Sequence, residues 1–151
     1  MNLTILKNYV EVLKPRESSL LTFIGIAAVF IAAAGKPSLG LVSLAFIAIL
    51  IASAGANGIT NYLDREFDAK MKRTRGRVLP SGRIYPPQKV LPVILSFIIT
   101  GLILAWWLHP LAFAADLIGT AVAVTWRKRI TCVFPQGAIA SLAPILMGWF
   151  A

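Results

Sequence analysis

The residues best equipped for chemistry lie in one stretch, NGITNYLDREFDAKMKRTRGRVLPSG, running from Asn57 to Gly82. Asn57, Asn61, Asp64 and Asp68 succeed one another at spacings of four, three and four residues. On a helix these spacings place all four side chains on one stripe, spread over roughly 16 Å. Two carboxylates one turn apart repel each other unless a cation sits between them. Hard divalent ions such as Mg²⁺ take oxygen ligands, often one or two carboxylates together with substrate phosphates. Just downstream, Lys70, Lys72, Arg73, Arg75 and Arg77 form a dense set of donors for phosphate oxygens. Acids that suit a metal and bases that suit a phosphate therefore adjoin an apolar segment. That combination suggests a metal-bound, diphosphate-bearing lipid substrate. The same charges also fit a solvated loop that fixes membrane topology, and spacing alone leaves both readings open.

The elements that must carry this stretch are apolar. Of 151 residues, 58% are hydrophobic and only 14% charged, where a soluble domain is about a quarter charged. The expected fold class is all-α, a polytopic transmembrane helical bundle. The net charge of +9 raises the question of nucleic acid. Yet the cations cluster at the edges of apolar runs, and Lys70–Arg77 has no interleaved aromatics, so no nucleic-acid partner is expected. A single cysteine, Cys132, excludes an intramolecular disulfide, and no Cys/His cluster suggests zinc or haem ligation.

In chain order, Met1–Lys14 places Leu3, Leu6, Val10 and Leu13 at helical spacing, which predicts a short helix lying in the membrane interface. Pro15 breaks it. Spans are expected at about 18–34, 39–59, 90–108 and 111–126, the second continuing into the Asn/Asp stripe. Residues 137–151 are apolar but short for a fifth crossing, so about four to five spans are present. Lys7, Lys14, Arg16, the 65–89 loop and Arg127–Arg129 fall on one side, which predicts a cytoplasmic N-terminus.

The run NYLDREFDAKMKRTRGRVLPSGRI resembles the first aspartate-rich signature of the UbiA superfamily of intramembrane prenyltransferases. Asp64-Arg65-Glu66-Phe67-Asp68, followed by Met71-Lys72-Arg73-Thr74-Arg75, is most similar to the protoheme IX farnesyltransferase branch. Lys14-Pro15-Arg16, and Lys128-Arg129-Ile130-Thr131 with Gly137, Pro144 and Gly148-Trp149, also resemble that branch. The resemblance implies a helical membrane fold with a central cavity, in which Mg²⁺ held by aspartates binds an allylic diphosphate. The diphosphate ionises, and an electron-rich acceptor takes the prenyl group. By this resemblance Asp64 and Asp68 are metal ligands, and Asn61 supports them at the catalytic centre. Lys72, Arg73, Arg77, Lys128 and Arg129 are the implied diphosphate-binding residues, and Asn57, from its place on the stripe, is expected to bind substrate with them. The implied partners are farnesyl diphosphate and haem B, giving haem O, in a multi-pass protein of a prokaryotic inner membrane. A quinone precursor, a chlorophyll-type or a lipid acceptor is the alternative. A non-catalytic homologue whose basic loop binds anionic membrane lipid is a further one.

Three departures from the family pattern stand out. Thr60 occupies a position that is usually Asn, and Ala123-Val124 replaces a common Tyr-Thr pair. The family also carries a second aspartate-rich motif, whereas Asp116 is the only acid after Asp68 here. Residues 1–151 are therefore expected to form a single transmembrane domain, the N-terminal part of a prenyltransferase, with a second chain as another way to complete the site. Asp116, two turns into the fourth span and close in sequence to Trp106 and Trp107, is read as a structural acid near the outer headgroups. His109 is read as an interfacial turn residue. Gly25, Gly35, Gly55, Gly58 and Gly101 are read as helix-packing positions, with Gly55 and Gly58 also able to leave room for a ligand.

Overall fold

The computed structural model of the protein describes residues 3–125 and 134–151. Six α-helices follow in order: α1 (Leu3–Val12), α2 (Pro15–Ala32), α3 (Leu39–Lys70), α4 (Leu91–Leu108), α5 (Pro110–Thr125) and α6 (Phe134–Trp149). Among the described residues there is no strand. Three segments are long and apolar enough to cross a bilayer: Pro15–Ala32, Leu39–Lys70 and Pro87–Leu108. Helices α5 and α6 are apolar but shorter. Phe23, Ile31, Ile99, Ile103, Leu117 and Ile118 point outward and exposed, as a lipid-facing surface requires. The chain is an integral membrane protein.

Helix α3 sets the geometry. Its 32 residues span about 48 Å, against roughly 30 Å for a hydrocarbon core. Ser38 begins it, its hydroxyl accepting from the Leu41 amide at 3.2 Å. No proline or polar break interrupts the helix after Ile59, so the final turns project beyond the apolar layer. They carry Asn61, Asp64 and Asp68 to the basic end of the bundle.

The long helices pack in chain order, α2 on α3, α3 on α4, α4 on α5 and α5 on α6, and α6 returns to α2. Helix α3 touches all four others. Small residues permit the closest approaches. A Cβ on Gly101 would meet the Ala52 backbone at 2.8 Å, and one on Gly55 would meet the Ile98 backbone nitrogen at 2.9 Å. Gly148 lies directly on the Gly25 carbonyl, bringing α6 against α2. Gly58 faces Ile94 and Leu13, so Gly55 and Gly58 are filled by neighbouring helices and leave no ligand space. Gly35 differs from the other four: it has open surroundings and a φ of +78°, which makes it a turn residue.

The α3–α4 connection is not a free solvated loop. Val78, Leu79 and Ile84 are buried with Val12, Ile59, Val90 and Ile94 in a small core separate from that of the bundle. This second core fastens α1 and the connection to the protruding end of α3. Arg83 reinforces it, donating to both carboxylate oxygens of Glu11 at 2.8 and 3.0 Å. At the other end of the bundle, exposed His109 accepts the Leu111 amide at 3.2 Å and begins α5.

Candidate functional site

A cavity of about 240 Å³ opens between α2, α3, α5 and α6. Helix α3 supplies Ser53, Asn57, Thr60 and Asp64; α5 supplies Asp116 and Thr120; α6 supplies Ser141; and Lys14 stands at the head of α2. A second cleft of about 310 Å³ lies beside it, bounded by Glu11, Lys14, Arg16, Asn61, Arg77 and Leu79 among others. Lys14 borders both.

The four-residue stripe is split between these surroundings, and helix geometry explains how. Taking Asn57 as zero and about 100° per residue, Ser53, Thr60 and Asp64 fall at about −40°, −60° and −20°. Asn61 and Asp68 fall at about +40° and +20°. The negative side lines the cavity. The positive side faces α1 and the α3–α4 connection. Asp68 is 1% exposed, accepts from Arg77 Nη1 at 2.8 Å, and lines neither cavity. The Thr74 hydroxyl donates to the Asp68 carbonyl at 2.9 Å, which folds the connection back over it.

Both asparagines serve the turn between α1 and α2. Asn61 Nδ2 donates to the Val12 carbonyl at 2.8 Å. Asn57 Nδ2 donates to Ser18 Oγ at 2.9 Å, and Ser18 in turn donates to the Leu13 carbonyl at 3.1 Å. Between those two anchors sits Lys14, with φ 49° and ψ 64°, a left-handed conformation unusual for a residue with a Cβ. Such strain persists where neighbours over-determine the backbone, and here two amides do so. The result is a lysine held at the cavity mouth. In the sequence, Lys14 counts only as one of the cations that set topology and as part of the Lys-Pro-Arg resemblance. The proline that follows it was the one local signal of a constrained turn.

Other expected positions lie elsewhere. Lys72 and Arg73 are exposed and line neither cavity, while Arg77 borders the second cleft. Lys128 and Arg129 lie outside the described residues. Arg65 stacks 4.5 Å over the Tyr62 ring and pairs with Glu66 at 3.3 Å, off the cavity. Asp116 corrects a sequence expectation. It is 5% exposed and turned into the cavity wall, not toward outer headgroups. Position in the span was legible; the face it presents was not, because α5 is apolar on most sides.

Hard oxygen donors suit a divalent cation. Asp64, with Asn57 and Thr60 beside it, offers one carboxylate and two neutral oxygens on the cavity wall. This fits an ion held through one carboxylate and completed by substrate phosphates. Asp68, engaged by Arg77, offers it no open oxygen pair in this arrangement. Among the described residues no group of three or more His, Cys, Asp or Glu side chains converges.

A sequence profile of the UbiA prenyltransferase family matches residues 20–151. The chain belongs to that family. Its UbiA relatives include the protoheme IX farnesyltransferase of Desulforudis audaxviator, 40% identical across 96% of this chain and 48% of that protein. The protoheme IX farnesyltransferase of Symbiobacterium thermophilum is 38% identical across 97% of this chain and 51% of that protein. The chain thus spans about half the length of the curated relatives it matches. A solved structure from work on digeranylgeranylglyceryl phosphate synthase in membranes superposes with a TM-score of 0.83 at 21% identity. It covers 95% of this chain and 52% of its own, and places the helical arrangement within the UbiA fold.

Proposed function

We propose that these residues form the first aspartate-rich part of a prenyltransferase that moves a prenyl group from a polyprenyl diphosphate to an acceptor. Farnesyl diphosphate and haem B, giving haem O, are the substrates. The observation that carries this reading is one cavity wall holding Asp64, Asn57 and Thr60 with Lys14 at the mouth. The names of the relatives support the choice of substrates.

In this reading the diphosphate lies at the basic end of the bundle. Lys14 faces its oxygens, and its fixed backbone places the charge before the substrate arrives, so little reorganisation is needed as the leaving group gains charge. Asp64 would hold Mg²⁺, which would supply positive charge for the diphosphate oxygens. The apolar part of the lining, Leu21 of α2, Ala123 of α5 and Ala143, Pro144 and Met147 of α6, keeps water from the allylic cation. Arg77 acts through Asp68 by holding the connection, with Lys128 and Arg129 as further diphosphate donors. The family's second aspartate-rich motif completes the site from polypeptide outside these 151 residues, in the same protein or a second chain. The multi-pass protein resides in a prokaryotic cell membrane.

Binding of farnesyl diphosphate to the protein in lipid nanodiscs tests the reading, with and without Mg²⁺. Saturable binding that needs both Mg²⁺ and Asp64 is expected. Binding that is unchanged by Asp64→Ala and by chelation would sink it. Mass analysis of products from paired assays with haem B and with a quinone precursor then decides the acceptor.

A further inference from the structure

The inner end of the cavity carries polar groups that the diphosphate reading leaves unused. Ser53 is 5% exposed, lines the cavity, and its Oγ has no hydrogen-bond partner among the described residues. Asp116 is likewise 5% exposed. One of its carboxylate oxygens accepts from Thr120 Oγ1 at 3.4 Å, well beyond the usual 2.5–3.0 Å of an O–H···O bond. The two residues come from different helices and line the same cavity, and their chain neighbours Ala52 and Ala115 belong to one core cluster. A carboxylate placed within an apolar span is costly unless something pairs with it. A buried hydroxyl without a partner adds to that cost. Two such groups on one cavity wall are the mark of a site that a ligand completes.

We propose that Ser53 and Asp116 form a subsite for an O–H group of the acceptor, that of an alcohol, a phenol or an uncharged carboxylic acid. The chemistry selects this class. An O–H group donates its proton to Asp116 and accepts one from Ser53, which satisfies both residues at once. An ammonium group has donors only and leaves the Ser53 proton without an acceptor. A bare hydrocarbon satisfies neither. The inference rests on the cavity being the ligand site, but it concerns the end remote from Lys14 and Asp64 and needs neither metal nor diphosphate.

Three probes of one size test it on the protein in lipid nanodiscs: benzyl alcohol, toluene and benzylamine. Each is titrated against the unfolding midpoint. Because the bilayer takes up the probes, the readout is their relative affinity in wild type compared with variants. Benzyl alcohol should bind about tenfold more tightly than toluene, the scale of a hydrogen bond to a buried charged acceptor. Asp116→Leu should erase that preference without lowering the unliganded midpoint, because an apolar side chain suits this depth. Asp116→Asn, which keeps an acceptor oxygen, should retain most of it, and Ser53→Ala should reduce it. A structural role for Asp116 predicts instead a lowered midpoint with the preference intact. Equal affinity for alcohol and toluene in wild type, a preference that survives Asp116→Leu, or tighter binding of benzylamine would each overturn the proposal. Because farnesyl diphosphate is absent, failure here is distinct from failure of the prenyltransferase reading.

Discussion

Asp64 and Asp68 sit one turn apart on the same helix and end in different worlds. Asp64 is partly buried on a cavity wall that also holds Asn57 and Thr60. Asp68 is sealed beneath the α3–α4 connection and held by Arg77 at 2.8 Å. About 40° of rotation separates them, and the neighbours decide the rest: α2, α5 and α6 on one side, α1 and the connection on the other. An Asp-x-x-x-Asp spacing therefore guarantees a shared stripe but not a shared ligand. The comparison is broken most directly by exchanging roles. On the proposed metal-ligand role, Asp64→Asn should weaken farnesyl diphosphate binding about a hundredfold, since even outer-shell partners of a metal are each worth about 10–100-fold, and it should give the smaller of the two losses in unfolding midpoint. Asp68→Asn should show the opposite order, a lower midpoint and a smaller binding loss. Equal binding losses at unchanged midpoints would mean that both carboxylates meet the ligand.

The next effect concerns the partner of Asp68. Removing one member of a buried pair costs about 3–5 kcal/mol, because the other charge is stranded. Arg77 is a third exposed, so solvent screens part of this loss and about 2 kcal/mol is the better expectation. Arg77→Met should therefore loosen the connection, seen as faster hydrogen exchange across Thr74–Ile84, while the α4 and α5 amides keep their protection. In a double-mutant cycle with Asp68→Asn the two changes should be strongly non-additive. Additivity would mean that the two side chains do not act as a pair.

Much of the architecture was legible because hydropathy reports depth. The spans at 18–34, 39–59, 90–108 and 111–126 correspond to α2, the apolar part of α3, α4 and α5. The break at Pro15 was legible because proline cannot continue a helix, and the continuation of α3 into its acidic end because its Asn and Asp residues keep helical spacing. What hydropathy does not report is rotation. Asp116 was assigned to the outer headgroups from its neighbours in sequence, yet it faces the cavity because α6 packs onto the Gly119 side of α5. The split of the Asn/Asp stripe was hidden likewise, since it depends on α1 and Val78–Leu79 folding against one flank of α3. Lys14 was hidden by its backbone. A left-handed lysine has no sequence signature beyond the proline that follows it.

That backbone permits a sharper test. Lys14→Gly removes the charge but suits φ 49°, whereas Lys14→Met removes the charge and keeps the strain. Both should weaken diphosphate binding about tenfold, the scale of one charge-assisted contact, but only the glycine variant should be as stable as wild type or more so. Asn61→Ala keeps the lysine and releases its turn by leaving the Val12 carbonyl unpartnered. It should lower stability by about 1–3 kcal/mol and weaken binding less than either lysine variant. Full binding in Lys14→Met would remove the lysine from the site.

The smallest effect belongs to Arg83 and Glu11, and it marks where the structural flank of the stripe ends. The pair is bidentate, and Arg83 also donates to the Gly76 carbonyl at 3.0 Å, so it links α1 to the connection as Arg77 links the connection to α3. Its side chains are about 40% exposed, unlike the buried carboxylate of Asp68. Water and salt then screen most of the attraction, and exposed pairs contribute about 0–1 kcal/mol. Glu11→Gln should lower stability by less than about 1 kcal/mol, and the difference from wild type should vanish in high salt. The Arg77→Met defect should persist in the same salt, because its stranded carboxylate lies out of reach of ions. If salt erased both defects alike, the Asp68 site would be as wet as the surface. The division of α3 into a cavity-facing and a structural side would then rest on rotation alone.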